Sequence, residues 1–156
     1  MIKNQVEDMK LLLQPNENNN VEMTVDATID NTPLVTDFVD ARLEELDCPF
    51  KAQSQIDIAI DEIFSNIAKF AYHPEVGPAT VKVEVEDDPL SVIISFIDKG
   101  MAFNPLVNDD PDVSLSAEER GIGGLGVYLV KKTMDDVTYE YKDGKNILKI
   151  KKNIEQ

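Results

Sequence analysis

The chain reads Gly121-Ile122-Gly123-Gly124-Leu125-Gly126 immediately before the apolar and basic run Val127-Tyr128-Leu129-Val130-Lys131-Lys132. Four glycines within six residues therefore precede a predicted amphipathic helix. Glycine lets the backbone turn tightly and come close to a ligand. The first amides of a helix have no internal partner and carry partial positive charge, so they suit an anion such as phosphate. The stretch alone fits a structural turn equally well, and the remaining sequence must decide between the two.

Length and composition indicate one globular domain. The chain has 156 residues, 42% apolar and 29% charged, which suffices for a core of its own. No apolar run is long enough to span a bilayer, and no signal peptide is seen at the start. The single cysteine, Cys48, excludes a disulfide framework and a cysteine zinc cluster. We therefore expect a cytoplasmic protein without a membrane partner.

The net charge of −15 argues against direct nucleic-acid binding, because an acidic surface repels phosphate backbones. From Lys131 onward basic residues slightly outnumber acidic ones, so the acidity lies in the first 130 residues. That asymmetry fits either a solubility feature or a surface for a basic protein partner.

Hydrophobic periodicity predicts the order of elements. Strands are expected over residues 21–29, 80–86 and 91–97, with the last one central, because it is apolar on both sides. A helix is expected from Thr32 to Leu46, with Asn31 as a capping side chain and Pro33 in its first turn. Further helices are expected over residues 51–72 and 124–134, and a hairpin pairs residues 137–142 with 146–151 across Asp143-Gly144-Lys145. The order predicts an α+β two-layer sandwich, in which a mixed, mostly antiparallel sheet carries helices on one face.

Two segments fall outside these elements. Residues 1–20 are interpreted as an N-terminal appendage and linker, and residues 21–152 as the folded domain. The apolar run Leu11-Leu12-Leu13 favours docking, on this domain or on a second copy, over a frayed tail. Residues 98–120 form a long irregular segment, which is typical of a functional loop or of disorder.

The helix over residues 51–72 has three predicted faces. The first face is a stripe expected in the core, formed by Ile56, Ile60, Ile63, Ile67 and Ala71. The opposite face is expected to meet water and is formed by Asp57, Asp61, Ser65 and Ala68. Glu62, Asn66 and Lys69 lie on a third edge, about one turn apart. An acid, an amide and a base in this arrangement can bind Mg²⁺, orient a reactant and contact phosphate. An ordinary solvated edge gives the same pattern.

Asp98-Lys99-Gly100 stands where the most apolar strand ends. An aspartate there can accept a hydrogen bond from a ligand amine, and Gly100 would allow the ligand close to the backbone. A turn that merely closes the strand is the alternative.

Taken together and in order, these motifs resemble one family. Glu62-x-x-x-Asn66-x-x-Lys69 resembles the N box of the gyrase, histidine-kinase and MutL-type ATPase superfamily, which has the Bergerat ATP-binding fold. Asp98-Lys99-Gly100, continued by Phe103-Asn104-Pro105, resembles its first glycine box, and Arg120 to Gly126 its second. Residues 125–150 are most similar to the branch of anti-sigma factors that are serine-protein kinases.

The resemblance implies a role for each motif residue. Glu62 would be the catalytic base, Asn66 would hold Mg²⁺, and Asp98 would recognise the adenine amine. The other ATP-binding residues would be Lys69, Gly100, Phe103, Arg120, Gly121, Gly123, Gly124, Leu125 and Gly126. Residues 101–120 would form a lid.

The function so implied is an ATP- and Mg²⁺-dependent serine-protein kinase. It would phosphorylate an anti-sigma-antagonist protein and sequester a sigma factor, and relatives of this kind are often homodimers. The alternative is a non-catalytic switch that binds a protein partner according to its nucleotide. A scaffold domain with vestigial motifs is the third reading.

Overall fold

The computed structural model describes residue 9 and residues 11–107 and 125–156, and its strands form one five-stranded sheet. The strand order is β1-β2-β3-β5-β4, and every neighbouring pair is antiparallel. The predicted mostly antiparallel sheet is confirmed, and no parallel pair occurs among the described strands. In chain order the strands are Val21–Asp26, Pro78–Glu86, Ser91–Asp98, Asp136–Lys142 and Lys145–Asn153.

Three helices within the described ranges cover one face of this sheet. They are α1 (Thr32–Glu45), α2 (Phe50–Asn66) and α3 (Leu125–Thr133). A 3-10 turn, Ile29–Asn31, precedes α1, and a π-turn, Ile67–Ala71, continues α2. Alternate strand residues and the inner helix residues form a single apolar core, as the two-layer prediction requires; its largest members include Phe38, Phe64, Phe96, Leu43, Ile56, Ile60, Ile94 and Ile150.

Strand β3 is central, as its sequence predicts. Val92, Ile94 and Phe96 are buried against the helices. Ser91 and Ser95, which point to the opposite face, are buried as well. Asp98 ends this strand on the helix side, so the sheet carries a carboxylate directly to the edge of the core.

The start of α1 differs from the prediction in one respect. Pro33 lies in the first turn as expected, but the Asn31 side chain makes no capping hydrogen bond. Its Nδ2 instead donates to the carbonyl oxygen of Asp26 at 2.8 Å. The end of β1 provides this acceptor nearby, so the amide stabilises the connection between β1 and α1.

The water-facing side of α2 is predicted only partly correctly. Ile56, Ile60 and Ile63 are buried and Asp61 is exposed, as the helical spacing indicates. Asp57 is half-buried instead, and its carboxyl lies close to that of Asp40 on α1. Burial, followed by the interaction with Asp57, raises the pKa of Asp40 to about 8. The prediction for Asp57 was wrong because α1 packs along this side of α2, which helical periodicity does not reveal.

The segment before β1 contacts the domain at two places. Met9, Leu12 and Leu13 pack against the core, whereas Leu11 is 65% exposed. Arg42, a buried residue of α1, donates through Nη2 to the main-chain and side-chain oxygens of Asn19, at 3.1 and 3.0 Å. The linker is therefore held on the domain by a charged side chain and by apolar packing.

The β4–β5 hairpin has the predicted tight turn. Asp143 and Gly144 both have positive φ, at 54° and 75°, as a type I′ turn requires. The turn sets the register in which Tyr141 faces Asn146 and Tyr139 faces Leu148. No helix within the described ranges is long and apolar enough to cross a membrane.

Candidate functional site

A cavity of about 500 Å³ opens between the C-terminal half of α2, the π-turn, α3 and the strands β3, β4 and β5. Its wall is mostly apolar. The polar residues in it are Asn66, His73, Asp98, Tyr139 and Asn146, and the apolar ones are Ile63, Ile67, Phe70, Ala71, Phe96, Met101, Phe103, Pro105, Leu106, Val127, Val130, Val137 and Leu148. Such a cavity suits a flat apolar ligand that carries a few polar groups.

Asp98 is the buried carboxylate of this cavity, with 5% of its surface exposed. Its Oδ1 accepts the amide N–H of Gly100 at 2.8 Å and an Nδ2–H of Asn146 at 2.9 Å. No described residue donates a hydrogen bond to Oδ2. Oδ1 thus holds the Asp98 carboxylate in its orientation, and Oδ2 can accept a hydrogen bond from a donor in the cavity.

Asn146 is a central residue of the site that the sequence analysis missed. It lies opposite Asp98 in the β3–β5 register, and its Nδ2 also donates to the carbonyl oxygen of Met101 at 2.9 Å. Its Oδ1 accepts the amide N–H of Phe103 at 3.1 Å and the hydroxyl of Tyr139. The available signal was an asparagine at an inward position of β5, where Leu148 and Ile150 continue the same face.

Gly100 is needed for a contact within the protein. A Cβ at this position would lie 2.2 Å from the carbonyl oxygen of Ala71, the last residue of the π-turn. The same oxygen accepts the amide N–H of Met101 at 2.9 Å. Close packing between the end of the helical segment and the turn after β3 therefore explains this glycine, whereas the sequence suggested approach to a ligand.

Glu62 and Asn66 are adjacent, as their spacing on α2 predicts. Asn66 Nδ2 donates to Glu62 Oε1 at 3.1 Å. A Cβ added to Gly126, in the first turn of α3, would lie 2.1 Å from Glu62 Cδ. The glycine therefore leaves room for the Glu62 carboxylate at the start of α3, and the hydrogen bond leaves the side-chain oxygen of Asn66 available.

Lys69 is not brought to the cavity. It is exposed and is not part of the cavity wall, which Phe70 and His73 reach instead. A π-turn has more residues per turn than an α-helix, so it rotates Lys69 further from the edge of Glu62 and Asn66. This turn could not be read from the apolar spacing.

Phe103 lines the cavity and is 52% exposed. Arg120, Gly121, Gly123 and Gly124 lie outside the described residues, and so does most of the predicted lid. Leu125 is described through its backbone, as the first residue of α3.

A sheet covered on one face by helices, with a buried aspartate and a helical Glu–Asn pair around one cavity, defines a class of nucleotide-binding domain. Residues 25–152 match the histidine kinase-like ATPase domain family, and the chain belongs to that family. The fold and the predicted resemblance are thereby confirmed.

Curated relatives narrow the assignment. The chain is 33% identical to the serine-protein kinase RsbW of Listeria monocytogenes serovar 1/2a over 107 residues, which cover 65% of this chain and 67% of that protein. It is 24% identical to the serine-protein kinase RsbW of Bacillus mycoides over 135 residues, 84% and 83% of the two chains. These names support the predicted serine-protein kinase branch.

A solved structure agrees on the fold. The RsbU and RsbW domains of a Mycobacterium tuberculosis protein align with a TM-score of 0.62 at 18% identity. The alignment covers 86% of this chain and 32% of that longer one.

Proposed function

We propose that the chain is an ATP- and Mg²⁺-dependent serine-protein kinase that phosphorylates an anti-sigma-antagonist protein and sequesters a sigma factor in the cytoplasm. The observation that carries the proposal is Asp98, a buried carboxylate with one oxygen left unpaired by the described residues, in an apolar cavity of about 500 Å³. Adenine matches this arrangement, because it is flat and apolar on its faces and carries an exocyclic amine.

Asn66 is the proposed Mg²⁺ ligand. Its Nδ2 is engaged by Glu62, so its oxygen remains for a cation. The described part of the chain has no group of three or more His, Cys, Asp or Glu residues that could hold a metal ion. Mg²⁺ commonly takes one or two protein ligands together with phosphate oxygens and water, so a single amide oxygen fits a nucleotide-bound ion. When bound, the ion would neutralise phosphate charge.

Glu62 is the proposed general base. It lies next to Asn66 and against Gly126 in the first turn of α3, so it is adjacent to the proposed metal and phosphate positions. A carboxylate there can accept the proton of an attacking serine hydroxyl. The glycine run up to Gly126, with Arg120, stays the predicted phosphate loop, because main-chain amides at a helix start suit phosphate.

Phosphotransfer tests the proposal directly. The purified chain is incubated with Mg²⁺, γ-labelled ATP and a candidate anti-sigma antagonist, and the label is mapped by mass spectrometry. We expect label on a serine of the partner, and transfer reduced roughly 100-fold or more in Glu62→Gln, given the usual contribution of a general base. Asp61→Asn, an exposed neighbour on α2, is the matched control.

The outcomes separate the two functions. Undiminished transfer in Glu62→Gln would rule out the proposed base. ATP binding without transfer, together with partner binding that changes between ATP and ADP, would favour the non-catalytic switch. A Mg²⁺-dependent thermal shift that is the same in Asn66→Ala and in the wild type would contradict the metal ligand.

A further inference from the structure

Tyr72 joins three elements at the end of the cavity that holds Asp98. It is the first residue after the π-turn, and its hydroxyl donates to the carbonyl oxygen of Pro78 at 2.6 Å. The hydroxyl oxygen of Tyr72 in turn accepts the amide N–H of Lys99 at 2.7 Å. Pro78 begins β2 and Lys99 follows the last residue of β3. One hydroxyl thus connects the end of the α2 segment with the adjacent ends of two strands.

The ring of Tyr72 is held in place by its surroundings. A Cβ at Gly77 would lie 2.5 Å from ring atoms of Tyr72, so the ring packs on the bare backbone of that glycine. The main chain beside Tyr72 is tied to the same turn, since Ala71 accepts the amide N–H of Met101. Burial raises the pKa of the Tyr72 phenol.

The turn after β3 is consequently held from two sides. Within the cavity, Asn146 and the amide of Gly100 bind Asp98 Oδ1. On the other side, Tyr72 binds the amide that directly follows Asp98. The orientation of a carboxylate at the end of a strand depends on the backbone that carries it, and both contacts hold the backbone beside Asp98.

We propose that Tyr72 is a positioning residue for purine recognition: its hydroxyl fixes the Lys99 amide, and thereby aims Asp98 Oδ2, to which no described residue donates, at the amine of the base. The inference rests on the proposed nucleotide site. Tyr72 does not line the cavity, so its effect passes through the turn. Because Tyr72 directly follows the helical segment that carries Asn66, it also links the proposed metal end of the site to the base end.

The test compares ADP with GDP, measured by calorimetry on the full chain. Guanine has a carbonyl where adenine has its exocyclic amine, so a carboxylate oxygen aimed at that amine finds no donor at the same position in GDP. Tyr72→Phe removes one hydroxyl, and we expect ADP affinity to fall roughly tenfold, in line with the loss of one hydrogen-bonded contact. GDP affinity is expected to stay within about twofold, because no aimed acceptor contributes to it.

Two further variants complete the design. Tyr141→Phe removes a phenol for which no hydrogen bond is found among the described residues, and it should leave both affinities unchanged. In Gly77→Ala the added methyl group would clash with the ring of Tyr72. This variant should reproduce the selective loss of ADP affinity. It also serves as the test if Tyr72→Phe does not fold.

Three outcomes of these affinity measurements would contradict the inference. Wild-type ADP affinity in a folded Tyr72→Phe would overturn the inference while leaving the proposed function intact. An equal loss of ADP and GDP affinity would also overturn it, because it indicates general destabilisation. A wild-type chain without measurable ADP affinity would overturn the proposed function and the inference with it.

Discussion

Asn146 is the single residue whose side chain makes the most hydrogen bonds in the described part of the cavity wall. Its amide contacts Asp98, Met101, Phe103 and Tyr139, which belong to two strands and the intervening loop. Truncation would leave the buried carboxylate of Asp98 without this donor, at a cost of about 1–3 kcal/mol, and would also remove the contacts to the three less buried partners. A polar network of this density acts as a unit.

We therefore predict that Asn146→Ala lowers the free energy of unfolding by about 2–4 kcal/mol and weakens ADP binding at least tenfold. Urea denaturation and calorimetry measure the two effects. Asn153→Ala is the control on the same strand, because Asn153 is exposed. Retained ADP affinity in a folded Asn146→Ala would show that Asp98 is oriented without it.

Gly126 is a second single residue on which the geometry of the site depends. Its missing Cβ is replaced in space by the carboxylate of Glu62, so Gly126→Ala should displace that side chain. We expect phosphotransfer to fall by about 10-fold or more, while the free energy of unfolding changes by about 1 kcal/mol, since alanine also favours the helix.

A double-mutant cycle isolates the contact between Gly126 and Glu62. In a Glu62→Gly background the added methyl meets no carboxylate, so Gly126→Ala should there be neutral or slightly stabilising. The same destabilisation in both backgrounds would place the clash elsewhere.

The packing of α1 on α2 should contribute to the free energy of unfolding in a pH-dependent way. Asp40 on α1 meets Asp57 on α2, and its pKa is raised from 3.8 to about 8 in the folded state. The protonated carboxyl is favoured by folding, so its contribution to stability is complete below pH 4 and is lost as the pH rises towards 8.

We predict that Asp40→Asn, which cannot ionise, is as stable as the wild type near pH 4 and more stable at pH 8. The gain should be on the order of 1–2 kcal/mol, because solvent screens this partly exposed pair. Chemical denaturation at several pH values measures it. Asp61→Asn, exposed on α2, should show no such trend, and parallel pH curves for Asp40→Asn and the wild type would refute the raised pKa of Asp40.

The whole molecule is organised around a cavity whose walls come from distant parts of the chain. Residues of α2, β3, α3, β4 and β5 line it, so a ligand there binds only the assembled fold. We expect ADP to raise the melting temperature, by an amount equivalent to about 2.7 kcal/mol at a hundredfold excess over Kd.

In Asp98→Asn that rise should largely disappear, because the amide keeps the size of the carboxylate and loses its charge. Asp88→Asn, at the exposed turn between β2 and β3, is the control. A full ADP-induced shift in Asp98→Asn would show that the base binds elsewhere in the cavity.

Much of the architecture could be predicted from local pattern. A run that is apolar on both sides predicted β3 as the central strand, and Asp143-Gly144 predicted the hairpin, because strand burial and turn dihedral angles depend on residues near in sequence. The neighbouring positions of Glu62 and Asn66 followed from helical periodicity in the same way.

The contacts between residues far apart in the chain were decided by the tertiary structure alone. They include Asn146 with Asp98, Tyr72 with Lys99, Gly126 with Glu62 and Asp40 with Asp57. The glycine-rich stretch by itself predicted a turn into a helix, and the packing of α3 on α2 explains why Gly126 in particular carries no side chain. Short-range periodicity constrains which face of an element is buried, whereas the partner across that face depends on how the elements pack.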